Sequence, residues 1–293
     1  MGDPKIDLNA LGEMRKSTPA EADERRETGA ETVVRPWSES EITLRDTPIR
    51  YARTGTGSPV LLLHGWSSSL DAFKPLALDL AKAFDVVALD FPGHGESGSP
   101  EGAWAVGDFV ALVEELLDRL DLERVDIVAH SFGARVAAKL AAGDPERVGR
   151  LVLMGAAGLR RRRSAKLKAK TFVLKLAKAL APLAGGTGQR WKHDLVKRYA
   201  SRDYLDAGEL RPTFVKVITE DLSSSFRAVR SETLLIWGEN DQETPLGLAR
   251  QMNALVDNSE LMVIKGAGHF VFADKFQQVR LATRRFLSQG PAE

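Results

Sequence analysis

An α/β fold built on a mostly parallel central sheet is predicted by three features of the sequence. Short apolar runs alternate with helix-patterned segments, chemistry-bearing residues fall just beyond the apolar runs, and one basic stretch interrupts the alternation before it resumes. The alternation reads Val60 to Leu63, then Leu70 to Phe84; Val86 to Leu89, then Val106 to Leu120; Val125 to Ala129, then Phe132 to Ala142. Apolar runs of strand length separated by amphipathic helices are the signature of βαβ units. Leu151 to Met154 reads as a further buried strand. After the interruption the pattern continues with Thr233 to Trp237, a helix from about Leu246, and Leu261 to Ile264. Upstream, Glu41 to Leu44 and Ile49 to Arg53, separated by Arg45-Asp46-Thr47-Pro48, predict an antiparallel hairpin at the sheet's edge.

Composition bounds the function. With 293 residues, 43% hydrophobic and 28% charged, the chain can bury a core of one large domain carrying one insertion. It has no cysteine, which excludes disulfides, a thiolate nucleophile and a thiolate metal site. No stretch approaches the roughly 20 apolar residues of a membrane span, and Met1-Gly2-Asp3-Pro4-Lys5 is not followed by a signal-peptide core, so a cytoplasmic location is expected. A net charge of +1 gives no reason to expect nucleic acid as a partner. That near-neutral total conceals an asymmetry: residues 158–228 hold 17 Lys+Arg against 6 Asp+Glu, a local charge of +11, and the remainder carries −10. The expected organisation is a tail over residues 1–30, a core from 31–157 and 229–293, and a basic helical insertion over 158–228.

Open parallel sheets gather functional groups beyond the carboxyl ends of their strands. There, Val128-Ala129-His130-Ser131-Phe132-Gly133-Ala134 places a serine between an apolar strand and an Ala-rich helix. An abrupt strand-to-helix turn forces its central residue into a strained, exposed conformation and needs small neighbours, which Ala129 and Gly133 supply. The turn also leaves the Phe132 amide at a helix N-terminus, where it can donate to a developing oxyanion. The segment resembles the nucleophile elbow of the α/β-hydrolase family, whose usual form is G-x-S-x-G; Ala129 gives the A-x-S-x-G form of some lipases in that family. Three further segments match in the family's order. Leu63-His64-Gly65-Trp66 occupies the loop in which the family places its second oxyanion amide, by position that of Trp66. Asp90-Phe91-Pro92-Gly93-His94-Gly95-Glu96-Ser97 matches the D-x-P-G-H-G-x-S loop, with a structural role expected for His94. Asp241 and His269 follow later strands, giving the order Ser, Asp, His. The resemblance covers about residues 40–157 and 229–289 and makes the insertion a lid.

It implies an α/β-hydrolase fold, a mostly parallel sheet flanked by helices, and a catalytic triad. A serine hydroxyl is a weak nucleophile until an imidazole takes its proton, and a buried carboxylate must hold that imidazole in the right tautomer; Ser131, His269 and Asp241 fill these roles. Glu239 is the rival acid, two residues nearer the strand. Taken singly, such a serine is more often a helix N-cap and such a histidine a packing residue; the ordered set is what selects catalysis. His64, His130 and His193 are expected to be structural or lining residues, and His64, His130 and Phe270 are the candidates for lining the pocket. A serine at the elbow disfavours the epoxide and halide chemistry of relatives that use aspartate there. No metal and no cofactor are called for. The expected activity is carboxylesterase-like hydrolysis of a small-molecule ester through an acyl-enzyme. Hydrolysis of a diketone carbon–carbon bond or of a lactone is the alternative, and a ligand-binding receptor with little turnover is the reading from another class.

Within the lid, Ala169, Phe172, Val173, Leu176, Leu180 and Leu183 share one helical stripe, with Lys168, Lys175 and Lys178 off it. Such a helix can roof an active site, or its cations can draw the enzyme weakly to anionic membrane surfaces. Co-sedimentation with anionic and neutral vesicles separates the two. Binding to anionic vesicles that fades at high salt would show surface attraction, because exposed charges are screened beyond roughly 8 Å at physiological ionic strength; equal, negligible binding would leave the roof.

Overall fold

The computed structural model describes residues 35–160 and 202–289, in which the alternating runs become one eight-stranded sheet. The strands are β1 (Ser38–Leu44), β2 (Thr47–Thr54), β3 (Ser58–Leu63), β4 (Phe84–Leu89), β5 (Val125–His130), β6 (Val148–Met154), β7 (Thr233–Gly238) and β8 (Ser259–Ile264), in the order β1-β2-β4-β3-β5-β6-β7-β8. The first two and the β2/β4 pair are antiparallel; every other pairing is parallel. Central strands bury both faces and read as continuous apolar runs, so all six residues of β4 and of β7 are buried. The edge strand β1 is exposed along most of its length and carries Glu39 and Glu41. Its hairpin is tighter than expected: Arg45 and Asp46 alone make the turn, with φ of 48° and 58°, while Thr47 and Pro48 pair with Leu44 and Thr43. A two-residue turn with both φ positive matches the twist of its strands, which a four-residue link would not require.

Helices cover both faces. On one, α2 (Val106–Arg119) and α3 (Phe132–Gly143) pack with α7 (Leu246–Asn253) against Leu61, Leu63, Ile127, Ala129, Leu153 and Trp237. On the other, α1 (Lys74–Leu80), α8 (Val271–Asp274) and α9 (Phe276–Leu287) cover Val60, Leu62, Val128, Val152 and Ile236. Alternate residues of one strand thus feed opposite cores, as the strand's period of two demands. The helix expected over Leu70 to Phe84 is shorter, a 3-10 turn Leu70–Phe73 followed by α1, and Phe84 already opens β4. Pro75 in the first turn of α1 fixes where that helix starts.

Of the insertion, the described part forms α4 (Arg202–Asp206), a 3-10 turn, α5 (Arg211–Thr219) and α6 (Ser223–Ala228). Its end is fastened to α3: Arg135 donates to the Glu220 carbonyl at 3.0 Å, Lys139 pairs with the Glu220 carboxylate at 2.5 Å, and Phe226 is fully buried. The tail, the Ala169 to Leu183 stripe and His193 lie outside the described residues. No helix among the described residues is long and apolar enough to cross a membrane.

The passage from β5 into α3 positions the site, and it depends on Gly133. A Cβ there would overlap the carbonyl oxygens of Leu63 and His64, so only glycine lets the helix start directly against β3. Gly133→Ala should therefore destabilise the fold by about 3 kcal/mol, at the upper end of overpacking costs. Urea unfolding followed by tryptophan fluorescence measures this, and an unchanged midpoint would contradict the close approach.

Candidate active site

Ser131 links β5 to α3 with φ 49° and ψ −104°, a positive-φ conformation that costs a non-glycine residue about 1–3 kcal/mol. Neighbouring backbone holds it there. Its amide donates to the Met154 carbonyl at 3.0 Å, and its carbonyl accepts from Ala157 at 3.1 Å. The constraint turns Oγ outward from the sheet's carboxyl edge, toward the loops that follow β7 and β8.

Those loops deliver the other two residues. Ser131 Oγ stands 3.0 Å from His269 Nε2, and His269 Nδ1 stands 2.8 Å from Asp241 Oδ2. With Nδ1–H donating to the carboxylate, Nε2 keeps its lone pair for the serine proton. Asp241 is held in turn: its Oδ1 accepts the Glu243 and Thr244 amides at 2.9 and 2.8 Å, and its Oδ2 accepts the Thr244 hydroxyl at 2.8 Å. Burial alone would push the Asp241 carboxyl up, but donation from His269 and Thr244 outweighs it and the net displacement is downward. The carboxylate is thus kept ionised beside the ring. The rival acid Glu239 is on the far side of its loop, where it accepts the Gly266 amide at 3.2 Å.

Trp66 and Phe132, whose amides the sequence assigned to an oxyanion hole, lie side by side, their rings edge-to-face at 5.4 Å. Phe132 opens α3, so its N–H has no acceptor four residues earlier in the helix. From the insertion, Phe214 of α5 packs on Trp66 at 5.0 Å. His94, buried as expected, meets the Trp66 ring edge-on at 4.7 Å.

The lining roles expected of His64 and His130 are corrected to support from behind. His64 is 1% exposed; its Nδ1 donates to the Gly65 carbonyl at 2.7 Å and its Nε2 accepts the Phe91 amide at 2.9 Å. His130 is 2% exposed and donates from Nε2 to the backbone carbonyl of His269 at 3.0 Å, tying the elbow to the loop that carries the imidazole. Phe270, 45% exposed, stands beside both rings at the mouth of the site. Sequence reasoning missed three contributors. Thr244 supplies two of the donors to Asp241, and its place three residues after an aspartate, before a proline-capped helix, is the signal that could have found it. Gly155, with φ 50°, leaves the space in which the ring and carboxylate meet: its Cβ would stand 3.2 Å from His269 Nδ1. Glu243 reaches His269 Nε2 at 3.4 Å, a contact no sequence spacing announces.

Burial pushes both His64 and His130 down to about 3 by removing the water that would solvate an imidazolium. Both are therefore neutral when folded, whereas an unfolded histidine titrates near 6.5. A folded value below the unfolded one means stability that is present above about pH 6.5 and lost as pH falls toward about 3. Below about pH 6 each should cost about 1.4 kcal/mol per pH unit. Urea midpoints measured from pH 7 to pH 4.5 should show this slope, and His130→Gln should remove one histidine's share of it; an unaltered slope in the variant would overturn the assignment.

Sequence and structure comparisons agree with this architecture. The family model for the alpha/beta hydrolase fold matches residues 58–276. The chain is 30% identical over 239 residues, covering 74% of it and 84% of the relative, to a 2-hydroxy-6-oxo-2,4-heptadienoate hydrolase of Pseudomonas putida. It is 27% identical over 266 residues, 82% of this chain and 78% of the relative, to an uncharacterized protein of Mycobacterium tuberculosis. The solved meta-cleavage product hydrolase of Pseudomonas fluorescens superposes with a TM-score of 0.65 at 23% identity, over 85% of this chain and 97% of that one. A core sheet of this order, a serine strained at the turn after β5 and a family match across most of the chain lead to one conclusion: the chain belongs to the α/β-hydrolase fold family.

Proposed function

We propose that this hydrolase cleaves carboxylic esters, with Ser131 as nucleophile, His269 as general base and then acid, and Asp241 as the group that orients the imidazole. The observation that carries the proposal is the unbroken chain from Asp241 Oδ2 through His269 to Ser131 Oγ, at 2.8 and 3.0 Å, ending on a serine held in strain. As Oγ attacks the ester carbonyl, its proton passes to Nε2 and the carbonyl oxygen becomes an oxyanion facing the Trp66 and Phe132 amides. Collapse releases the alcohol, which takes the proton from Nε2. Water, activated by the same nitrogen, then hydrolyses the acyl-enzyme. Residues 158–228 act as the lid in this reading, and Phe214 against Trp66 supports it, because the insertion then touches the loop that shapes the oxyanion side.

A second reading has its own support. The Pseudomonas putida relative is named for hydrolysis of a 2-hydroxy-6-oxo-dienoate, and the same three residues can cleave a carbon–carbon bond next to a ketone when the pocket delivers one. A panel of aryl esters of increasing acyl length, run beside lactones and a 2-hydroxy-6-oxo-dienoate with a fluorophosphonate to mark the nucleophile, decides between them. Steady aryl-ester turnover with Ser131 labelled is the expected result. Turnover of the dienoate alone would replace the ester reading, and one slow burst without turnover would mark a receptor.

Single substitutions test the roles. Ser131→Ala and His269→Ala should each lower ester turnover about 10³-fold or more, with the double variant little worse, because the residues act as one unit. Asp241→Asn should cost about 10³- to 10⁴-fold, since an amide can hold the ring in the wrong tautomer. Activity within tenfold of wild type in any of the three would remove that residue from the mechanism.

A further inference from the structure

We infer that Glu243 makes this site selective for the charge of the leaving group, favouring esters of cationic or neutral alcohols over those of alcohols carrying a carboxylate. The inference rests on the reading of Ser131 and His269 as nucleophile and base. Three observations carry it. The Glu243 Oε2 atom stands 3.4 Å from His269 Nε2, the nitrogen that must hand a proton to the departing alcohol. That nitrogen also faces Ser131 Oγ at 3.0 Å, so the carboxylate stands beside the proton donor that serves the leaving group. The side chain is 59% exposed and, among the described residues, its ion contact is with this imidazole alone.

In the resting state that contact does not neutralise the carboxylate. With Nδ1–H donating to Asp241, Nε2 spends its one lone pair on the Ser131 hydroxyl and has no hydrogen to offer Glu243, so the contact leaves the carboxylate's charge at the mouth. A trimethylammonium two carbons from the ester oxygen would come within about 6 Å of that charge, and at solvent-like dielectric the attraction is worth about a three- to tenfold preference. A leaving group bearing a carboxylate would be disfavoured by a similar factor. The backbone amide of Glu243, which donates to Asp241 Oδ1 at 2.9 Å, survives substitution of the side chain, so the charge can be removed while the support of Asp241 is kept.

The test uses three esters with one acyl group: butyrylcholine, its uncharged isostere 3,3-dimethylbutyl butyrate, and butyryloxyacetate. For the full chain, kcat/KM should fall in that order. The cation-to-neutral ratio should approach one in Glu243→Gln, invert in Glu243→Lys, and shrink in the wild type at high salt, as screening of an exposed charge requires. A structural role for Glu243 would lower all three rates together and leave the ratio where it was, which would overturn the inference, as would a wild type indifferent to leaving-group charge. The same ratio is then read without turnover, from labelling rates of Ser131 by phosphonothioates whose thiol leaving groups carry or lack the trimethylammonium. A charge preference in labelling with no hydrolysis of any ester would refute the ester reading and uphold Glu243; ester hydrolysis with no charge preference in either assay would refute Glu243 and uphold the ester reading.

Discussion

The backbone strain at Ser131 is the constraint on which the remaining geometry depends. A serine with φ 49° is held because its amide bonds to Met154 at the end of β6, its carbonyl to Ala157 just after it, and because Gly133 lets α3 begin against β3. Those same contacts fix the direction of Oγ. The strain is therefore distributed: β5 supplies the residue, β3 the floor, and the turn at Met154 to Ala157 the clamp. Relaxing any one would let the hydroxyl swing away from the imidazole, which is why the order of strands in the sheet matters to chemistry at a single atom.

Around that fixed point the electrostatics are graded by burial. Asp241 is ionised in a dry setting because four donors surround it, from His269, the Thr244 hydroxyl and the Glu243 and Thr244 amides. His130, also buried, is kept neutral by desolvation and donates to the His269 carbonyl, so it serves as a strut between the elbow and the loop of His269. Two buried groups thus take different charge states: desolvation holds His130 neutral, whereas donated hydrogen bonds keep Asp241 ionised.

Much of this was legible in the chain. The strand runs were readable because parallel strands buried on both faces need continuous apolar residues, and Ser131, Asp241 and His269 were readable because functional groups sit beyond such strands. What the sequence hid has physical causes. The tight Arg45-Asp46 turn depends on two positive φ values that neither residue type announces. For His64 and His130 the sequence left structural and lining roles open, and pairing with backbone groups, which no local pattern announces, makes the buried structural role tolerable. Gly155 and Glu243 act through approaches between segments far apart in the chain, and no local pattern encodes such a distance, whereas Thr244 sits three residues after Asp241, a local signal that sequence reasoning passed over.

The two sides of Ser131 are built from different material, and this asymmetry bears on how specificity can evolve. Around Trp66 the wall is aromatic, with the ring braced by His94, Phe132 and, from the insertion, Phe214. Closely packed rings transmit small shifts to one another, so a change at Phe214 in the insertion reaches the Trp66 loop through packing. Glu243, by contrast, is a mostly exposed carboxylate on a loop, 3.4 Å from His269 Nε2. A substitution there alters charge at the mouth without disturbing a packed contact. Trp66 is thus tied to the core through packed rings, whereas Glu243 is a surface side chain that can change independently of the fold.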